Sequence, residues 1–190
     1  AEGNTVTLAN GSANGDIHGG VSEHGDTVDN TVTIKGGSAT TADVYGGKTE
    51  NNGNSTGNKV FIEGGGKQDI FGGYSQSGNA TGNTVTITGG TMKDVYGGYT
   101  TGTSASAVDL KADAAAQANA KGNTVNISGG TINANGKIAG GYIAKNTTLA
   151  TPAASAGDAK GNKVNIESGT IGNNTSIYGG YTEGAGGATG

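Results

Sequence analysis

The chain has 190 residues, a net charge of −4 at pH 7, no cysteine, and 11 basic residues that are all lysine. The absence of cysteine excludes disulfide frameworks, thiolate metal sites and cysteine nucleophiles. Since the chain has neither arginine nor an excess of positive charge, nucleic acid is not expected as a partner. No run of about 18 apolar residues occurs, so this segment is not expected to insert into a membrane.

Hydrophobic residues make up only 32% of the chain, whereas glycine occurs 40 times. So low an apolar content does not favour a conventional globular core. The glycines recur at fixed offsets rather than in low-complexity runs, which is typical of repeated turns. The sequence therefore predicts a repeat protein.

Six copies of one pattern follow each other along the chain. Each opens with Asn-x-Val-x-Ile-x-Gly-Gly or a close variant, and a second Gly-Gly pair follows after a variable turn. The opening asparagines are 25 to 28 residues apart in the early copies and 39 to 40 apart in the later ones. They are Asn4, Asn30, Asn58, Asn83, Asn123 and Asn162.

Each copy begins with an alternating segment, as in Val85-Thr86-Ile87, which predicts a half-buried strand. A second segment contributes one inward aliphatic residue before the second Gly-Gly pair, where glycine permits a sharp corner. The pattern gives two clear strands in each copy and leaves a third open. The inward residues of the second segment are Ile17, Val44, Ile70, Val95, Ile138 and Ile177.

One copy is too short and too lightly apolar to fold alone, so the copies are expected to stack. Parallel stacking at about 4.8 Å pairs every strand with its equivalent in the next copy. We therefore predict an all-β fold, a single-stranded parallel β-solenoid of six rungs that forms one domain over residues 1–190. A β-propeller is the competing repeat architecture, but its blades need about 40 residues and four strands.

The extra length of the later copies falls at one phase of the repeat, in residues 101–121 and 144–160. Insertions at one phase of a solenoid emerge on one side, and long loops on a rigid scaffold are common places for specific contacts. The first insertion is alanine-rich from Ser104 to Ala120, which predicts a short helix capped by Ser104. The second contains Pro152 and is predicted to be a loop.

The unit Gly-Asn-Thr-Val-Thr-Ile-Thr-Gly-Gly-Thr (residues 82–91), followed by Val95-Tyr96-Gly97-Gly98-Tyr99, resembles the passenger repeats of bacterial autotransporter adhesins. The resemblance covers essentially the whole chain. It implies a right-handed parallel β-helix, export across an outer membrane, and a place outside the cell or on its surface. The function that it implies is adhesion, autoaggregation or biofilm formation, without catalysis.

Four aspartates, Asp16, Asp43, Asp69 and Asp94, each precede the inward residue of the second segment. Stacking would place like charges next to each other, and these repel unless they are neutralised. A row of Ca²⁺ sites is one interpretation, because Ca²⁺ prefers carboxylate oxygens. In the other, the aspartates accept hydrogen bonds from turn backbone and are offset by Lys67 and Lys93.

Other side chains should also form rows along the stack. The opening asparagines predict a structural ladder of amides. Aromatic rows are predicted after the second strand; outward rings could bind sugars or partner chains, whereas stacked rings could be purely structural. The first row is Tyr45, Phe71, Tyr96 and Tyr178, and the second is Tyr74, Tyr99, Tyr142 and Tyr181.

Three further functions are weaker alternatives. Outward Thr-x-Thr pairs resemble the arrays of ice-binding solenoids, but Lys59 and Phe61 interrupt the array. A metal site at His18, Asp16 and His24 would be isolated in the first copy. A polysaccharide-active enzyme would need a carboxylate cluster in a groove, whereas the only aligned acids here form a row along the axis; the loop acids Asp109 and Asp113 are the candidates that this alternative leaves open.

The sequence begins and ends in the same phase of the repeat. Ala188-Thr189-Gly190 matches the Ala80-Thr81-Gly82 segment that directly precedes Asn83. Because a solenoid end exposes strand edges, we expect association with further copies end to end or side by side. The other expected partners are glycans or proteins of a host or bacterial surface.

Overall fold

The computed structural model describes residues 1–37, 41–101, 118–145, 157–183 and 188–189, and within these residues every regular element is a β-strand. Three parallel sheets run the length of the stack, and each repeat contributes a strand to each sheet. This confirms the predicted all-β parallel solenoid. It also adds a regular third strand to the two that the pattern made clear.

The first sheet contains β1 (Thr5–Leu8), β4 (Thr31–Ile34), β7 (Lys59–Ile62), β10 (Thr84–Ile87), β14 (Thr124–Ile132) and β17 (Lys163–Ile171), with the short β11 (Thr91–Met92) beside β14. The second contains β2 (Ile17–Ser22), β5 (Val44–Thr49), β8 (Asp69–Ser75), β12 (Asp94–Thr100), β15 (Lys137–Ile143) and β18 (Ser176–Thr182). The third contains the two-residue strands β3 (Thr27–Val28), β6 (Ser55–Thr56), β9 (Ala80–Thr81), β13 (Ala120–Lys121), β16 (Ala159–Lys160) and β19 (Ala188–Thr189).

The strands pair in the register that the repeat defines. Val85 of β10 pairs with Val60 of β7 on one side and with Val125 of β14 on the other. Identical aliphatic side chains therefore stack along the axis and close a narrow core between the sheets. Ile34, Ile62, Ile70 and Ile87 are fully buried, and burial of each such side chain stabilises the fold by about 1.5–3 kcal/mol.

One inward aliphatic residue of the second sheet is not buried. Ile177 is 50% exposed, although its equivalent Ile138 is fully buried. β18 is an edge strand that pairs only with β15; at the other edge, on β2, the equivalent Ile17 is 8% exposed.

The insertions lie mostly outside the described residues. The structure describes neither residues 102–117, which include Ser104, Asp109 and Asp113, nor residues 146–156, which include Pro152. The end of the first insertion is a strand, because Ala120 and Lys121 form β13 and pair with β9 and β16. Among the described residues there is no helix long and apolar enough to cross a membrane.

Candidate functional site: side-chain ladders and the outer faces

The opening asparagines form a continuous ladder, as predicted, and it is buried from Asn30 to Asn162. The Oδ1 atom of Asn83 accepts hydrogen bonds from the backbone N and the Nδ2 of Asn58, at 2.9 and 3.0 Å. Asn83 in turn donates from the same two atoms to Oδ1 of Asn123, and its Nδ2 also donates to the Ser55 carbonyl at 2.9 Å. Each amide therefore satisfies backbone groups that water cannot reach.

A second polar ladder was not predicted from the sequence. At each step the backbone N of one member donates to the side-chain oxygen of the preceding member, over 2.7–2.9 Å. Its members are Asp26, Asn54, Asn79, Asn119 and Asp158. The sequence does contain a pattern that indicates this ladder, because each of its members lies four residues before an opening asparagine.

The aspartate row is engaged by the backbone. Asp43 N donates to Asp16 Oδ1 at 3.1 Å, and Asp69 N donates to Asp43 Oδ1 at 3.0 Å. Asp94 N donates to Asp69 Oδ1 at 3.3 Å, and Lys137 N continues the row with a bond to Asp94 Oδ1 at 2.7 Å. These bonds match the structural interpretation, in which the carboxylates hold turn backbone.

The remaining carboxylate oxygens find different partners. The hydroxyls of Tyr45 and Tyr96 donate to Oδ2 of the aspartates two residues earlier, at 3.4 and 3.3 Å. Phe71 has no hydroxyl to donate to Asp69; instead Lys93 forms an ion pair with Asp69, with Nζ 3.6 Å from the Oδ1 atom that also accepts from Asp94 N. Lys93 therefore offsets the row as predicted.

The prediction for Lys67 was wrong. Lys67 is 4% exposed, and within the described residues its Nζ pairs with no carboxylate but donates to the Gly66 carbonyl at 3.0 Å. Gly66 pairs with Thr91, so Lys67 stands where the next repeat has the core residue Met92. Its alkyl chain fills space in the core, and burial lowers the pKa of its amine.

Replacing Lys67 by methionine is expected to raise the free energy of unfolding at pH 7 by about 1–3 kcal/mol, because no amine is then desolvated. The folded-state pKa of Lys67 is below that of the unfolded chain, so the cost of the lysine is complete below the folded pKa. It disappears as pH rises through that pKa and past 10.5. Urea denaturation of both proteins at pH 7 and pH 10 measures the difference; equal stability of the two proteins at pH 7 would contradict the core placement.

Calcium binding to the aspartate row stays a hypothesis. Burial, followed by the charge of Asp94, raises the pKa of the Asp69 carboxyl. The described residues hold no group of three or more His, Asp or Glu side chains placed to bind one metal ion. Thermal denaturation with and without millimolar Ca²⁺ tests the hypothesis, which requires a higher Tm with calcium.

Replacing Asp69 by asparagine is expected to stabilise the fold at pH 7 by up to about 1 kcal/mol, because it removes a partly buried charge that also repels Asp94 and keeps an acceptor oxygen for Asp94 N. The raised folded-state pKa means that the ionised Asp69 destabilises the fold at neutral pH. That cost is relieved as pH falls through the folded pKa towards 3.8 and below. Denaturation at pH 7 and pH 3 should therefore show the advantage of asparagine only at pH 7; a large loss at pH 7 would indicate that the charge itself is required.

Eight of the nine aromatic residues form two adjoining rows on the outside of the second sheet, and Phe61 lies on the first sheet. Tyr45 and Phe71 stack with centroids 4.8 Å apart, and Phe71 and Tyr96 with centroids 5.2 Å apart. In the second row Tyr74 and Tyr99 stack at 5.3 Å, and the two rows meet edge to face. Aromatic pairs in such geometries contribute about 0.5–1.5 kcal/mol beyond their buried area.

The expectation that Tyr45, Phe71, Tyr96 and Tyr178 form an exposed row was wrong for the first three, which are 5–7% exposed; Tyr178 is half-buried. The rings lie face against face along the axis, so their faces contact each other and their edges point outward. The second row covers the first from the side. A sugar that stacks on an aromatic ring needs a free ring face, so this geometry favours the structural interpretation of the rows.

Burial also sets the acidity of the rows. It raises the pKa of Tyr99 to about 12 and raises the pKa of Tyr45 and Tyr96 as well, with a further contribution from the neighbouring aspartates. These phenols therefore stay protonated at neutral pH. They can donate hydrogen bonds to carboxylates but cannot act as bases.

His18 belongs to the aromatic row rather than to a metal cluster in the described residues. Its ring stacks on Tyr45 with centroids 5.0 Å apart and an interplanar angle of 14°. Its Nδ1 is buried and has no hydrogen-bond partner, and burial, followed by the charge of Lys48, lowers its pKa. The ring is therefore held neutral, as suits a stacked position.

A cluster that the sequence did not indicate lies where β18 ends. Glu183 Oε1 accepts a hydrogen bond from the Tyr142 hydroxyl, and Oε2 accepts one from Lys145 N at 3.0 Å. Lys137 donates to the same hydroxyl at 3.3 Å. The hydrogen bond from Tyr142 lowers the pKa of Glu183, and burial raises that of Tyr142, so the cluster is a charged clamp between β15 and β18.

No protein-family model matches the chain, and no significant match exists among curated proteins or solved structures.

Proposed function

We propose that this chain is a non-enzymatic structural and adhesive protein of the bacterial surface, a passenger segment or filament subunit that mediates adhesion or self-association. The main support is the use of the acidic side chains. The carboxylates of Asp16, Asp43, Asp69 and Asp94 accept backbone hydrogen bonds from successive repeats. They form a line along the axis. Catalysis by carboxylates needs a different arrangement, in which two carboxylates face each other across a groove.

The outer faces suit a scaffold. Thr84 and Thr86 of β10 point outward from the first sheet. The aromatic side chains on the second sheet stack on one another, and the buried asparagines form hydrogen bonds within their own ladder. Such a stack is rigid along its length because each repeat is bonded directly to the next. The resemblance of the repeat unit to autotransporter passengers adds export and a location outside the cell to the proposal.

Two assays on the purified 190-residue chain test this function. Latex beads coated with the chain are expected to aggregate with each other or to bind intact bacteria, whereas beads coated with albumin do not. Incubation of the chain with uronate and neutral polysaccharides is expected to release no reducing or unsaturated product. Product release would replace the proposal with the enzyme alternative, and coated beads that stay dispersed and bind no cells would overturn the adhesive function.

A further inference from the structure

Three lysines gather at one corner of the solenoid, where the third sheet turns into the first. Lys121 of β13 and Lys160 of β16 are register partners on adjacent strands, and Lys163 follows Lys160 directly after the corner. Lys160 and Lys163 are exposed, and Lys121 is half-buried. The corner therefore carries concentrated positive charge in a chain whose net charge is −4.

This arrangement costs stability. Like charges directly opposite each other on paired strands repel, and the strands here are about 4.8 Å apart. Among the described residues no carboxylate forms an ion pair with any of the three lysines; the ion pairs present involve Lys48 and Lys93. The fold does not require lysine at these positions. Other repeats have threonine there: Thr56 and Thr81 are in register with Lys121, and Thr124 is in register with Lys163.

Two amides extend the corner across the first sheet. Asn165 lies two residues after Lys163 on the same outward face, and its Nδ2 donates to Asn126 Oδ1 at 2.8 Å. That bond uses one polar atom of each amide, so within the described residues Asn126 Nδ2 and Asn165 Oδ1 remain for hydrogen bonds to a ligand. Amides that can both donate and accept suit hydroxyl groups, whereas the ammonium groups suit carboxylates or sulfates.

We propose that Lys121, Lys160 and Lys163, with Asn126 and Asn165 beside them, bind an acidic polysaccharide. This inference rests on the proposed adhesive function and names the class of its partner. The ammonium groups contact successive anionic groups of the polymer, and the amides contact its hydroxyls. Nucleic acid fits less well: eight of the nine aromatic residues lie on the second sheet, and Phe61, which shares the row of Asn126, lies two strands away from it, so no ring on which a base could stack adjoins the three lysines.

The test measures binding of the 190-residue chain to immobilised polygalacturonate, with heparin, double-stranded DNA and phosphatidylglycerol vesicles as parallel arms. We expect binding to one or both polysaccharides that weakens with salt. The triple variant Lys121→Thr, Lys160→Thr and Lys163→Thr should lose about tenfold or more in affinity. Threonine suits these positions because it occupies them in other repeats, and circular dichroism and Tm check that the variant is folded.

A matched control makes the same change in net charge at other positions. The triple variant Lys35→Thr, Lys59→Thr and Lys145→Thr removes three exposed lysines that are not neighbours of the proposed site and should bind the polysaccharide as the parent does. Lys59 has the same position in its repeat as Lys163 but lies three strands away from it along the sheet. Equal losses in the two triple variants, binding to DNA or vesicles as strong as that to polysaccharide, or no polysaccharide binding at low salt would each overturn the inference. If polysaccharide binding fails while coated beads still aggregate or bind cells, the corner is wrong but the adhesive function stands; if the beads also fail, both are wrong.

Discussion

Replacing Asn83 by alanine is expected to lower the free energy of unfolding by about 3–5 kcal/mol, because buried backbone groups lose their partners. The Oδ1 atom of Asn83 accepts from N and Nδ2 of Asn58, and its Nδ2 donates to the Ser55 carbonyl. All three residues are fully buried, so water cannot replace these bonds without opening the stack. Urea denaturation followed by far-ultraviolet circular dichroism measures the change.

The control for Asn83 is an asparagine that forms the same kind of bond at the surface. Asn165 donates to Asn126 Oδ1 at 2.8 Å, and Asn165 is exposed. Replacing Asn165 by alanine should change stability by less than about 0.5 kcal/mol, because water takes over the lost bond. If the two alanine variants proved equally stable, the ladder would not carry the stability assigned to it.

Replacing Gly72 by alanine is expected to destabilise the fold by about 3 kcal/mol or more, through steric clash alone. A Cβ atom at Gly72 would lie 2.4 Å from the Gly97 carbonyl oxygen in the next repeat and 3.2 Å from Val85 Cγ2. The oxygen belongs to backbone that is paired on both sides, so the repeats would have to separate locally. Thermal denaturation should show a clearly lower Tm.

Gly82 provides the matched control. It has a φ of 65°, and a Cβ atom there would meet no atom within 4 Å. Alanine at this position therefore costs only the left-handed backbone conformation, about 1–2 kcal/mol. A Gly82→Ala variant that was less stable than the Gly72→Ala variant would show that conformation, and not the close approach of neighbouring repeats, explains the need for glycine in this fold.

Much of the architecture follows from the sequence because the repeat is nearly exact at the positions that stack. The valine and the aliphatic residue two positions after it, as in Val85 and Ile87, recur with the same spacing after each opening asparagine, and this determines both the strand and its register. The third strand was harder to predict because it has only two residues, such as Ala80–Thr81. So short a segment has no periodicity to read, and it becomes a strand only because its neighbours in the stack supply the hydrogen bonds.

The sequence by itself determined the stacking, the amide ladder and the aspartate row, since each depends on residues that recur at a fixed phase. Only the tertiary structure decided which side chains are hidden. Lys67 proved to be a core residue because it takes the position of Met92, and Tyr45 proved to be buried because Tyr74 lies edge-on against it. The position in the repeat determines where a side chain lies along the axis, but the exposure of that side chain depends on its neighbours in the adjacent repeats and within its own row.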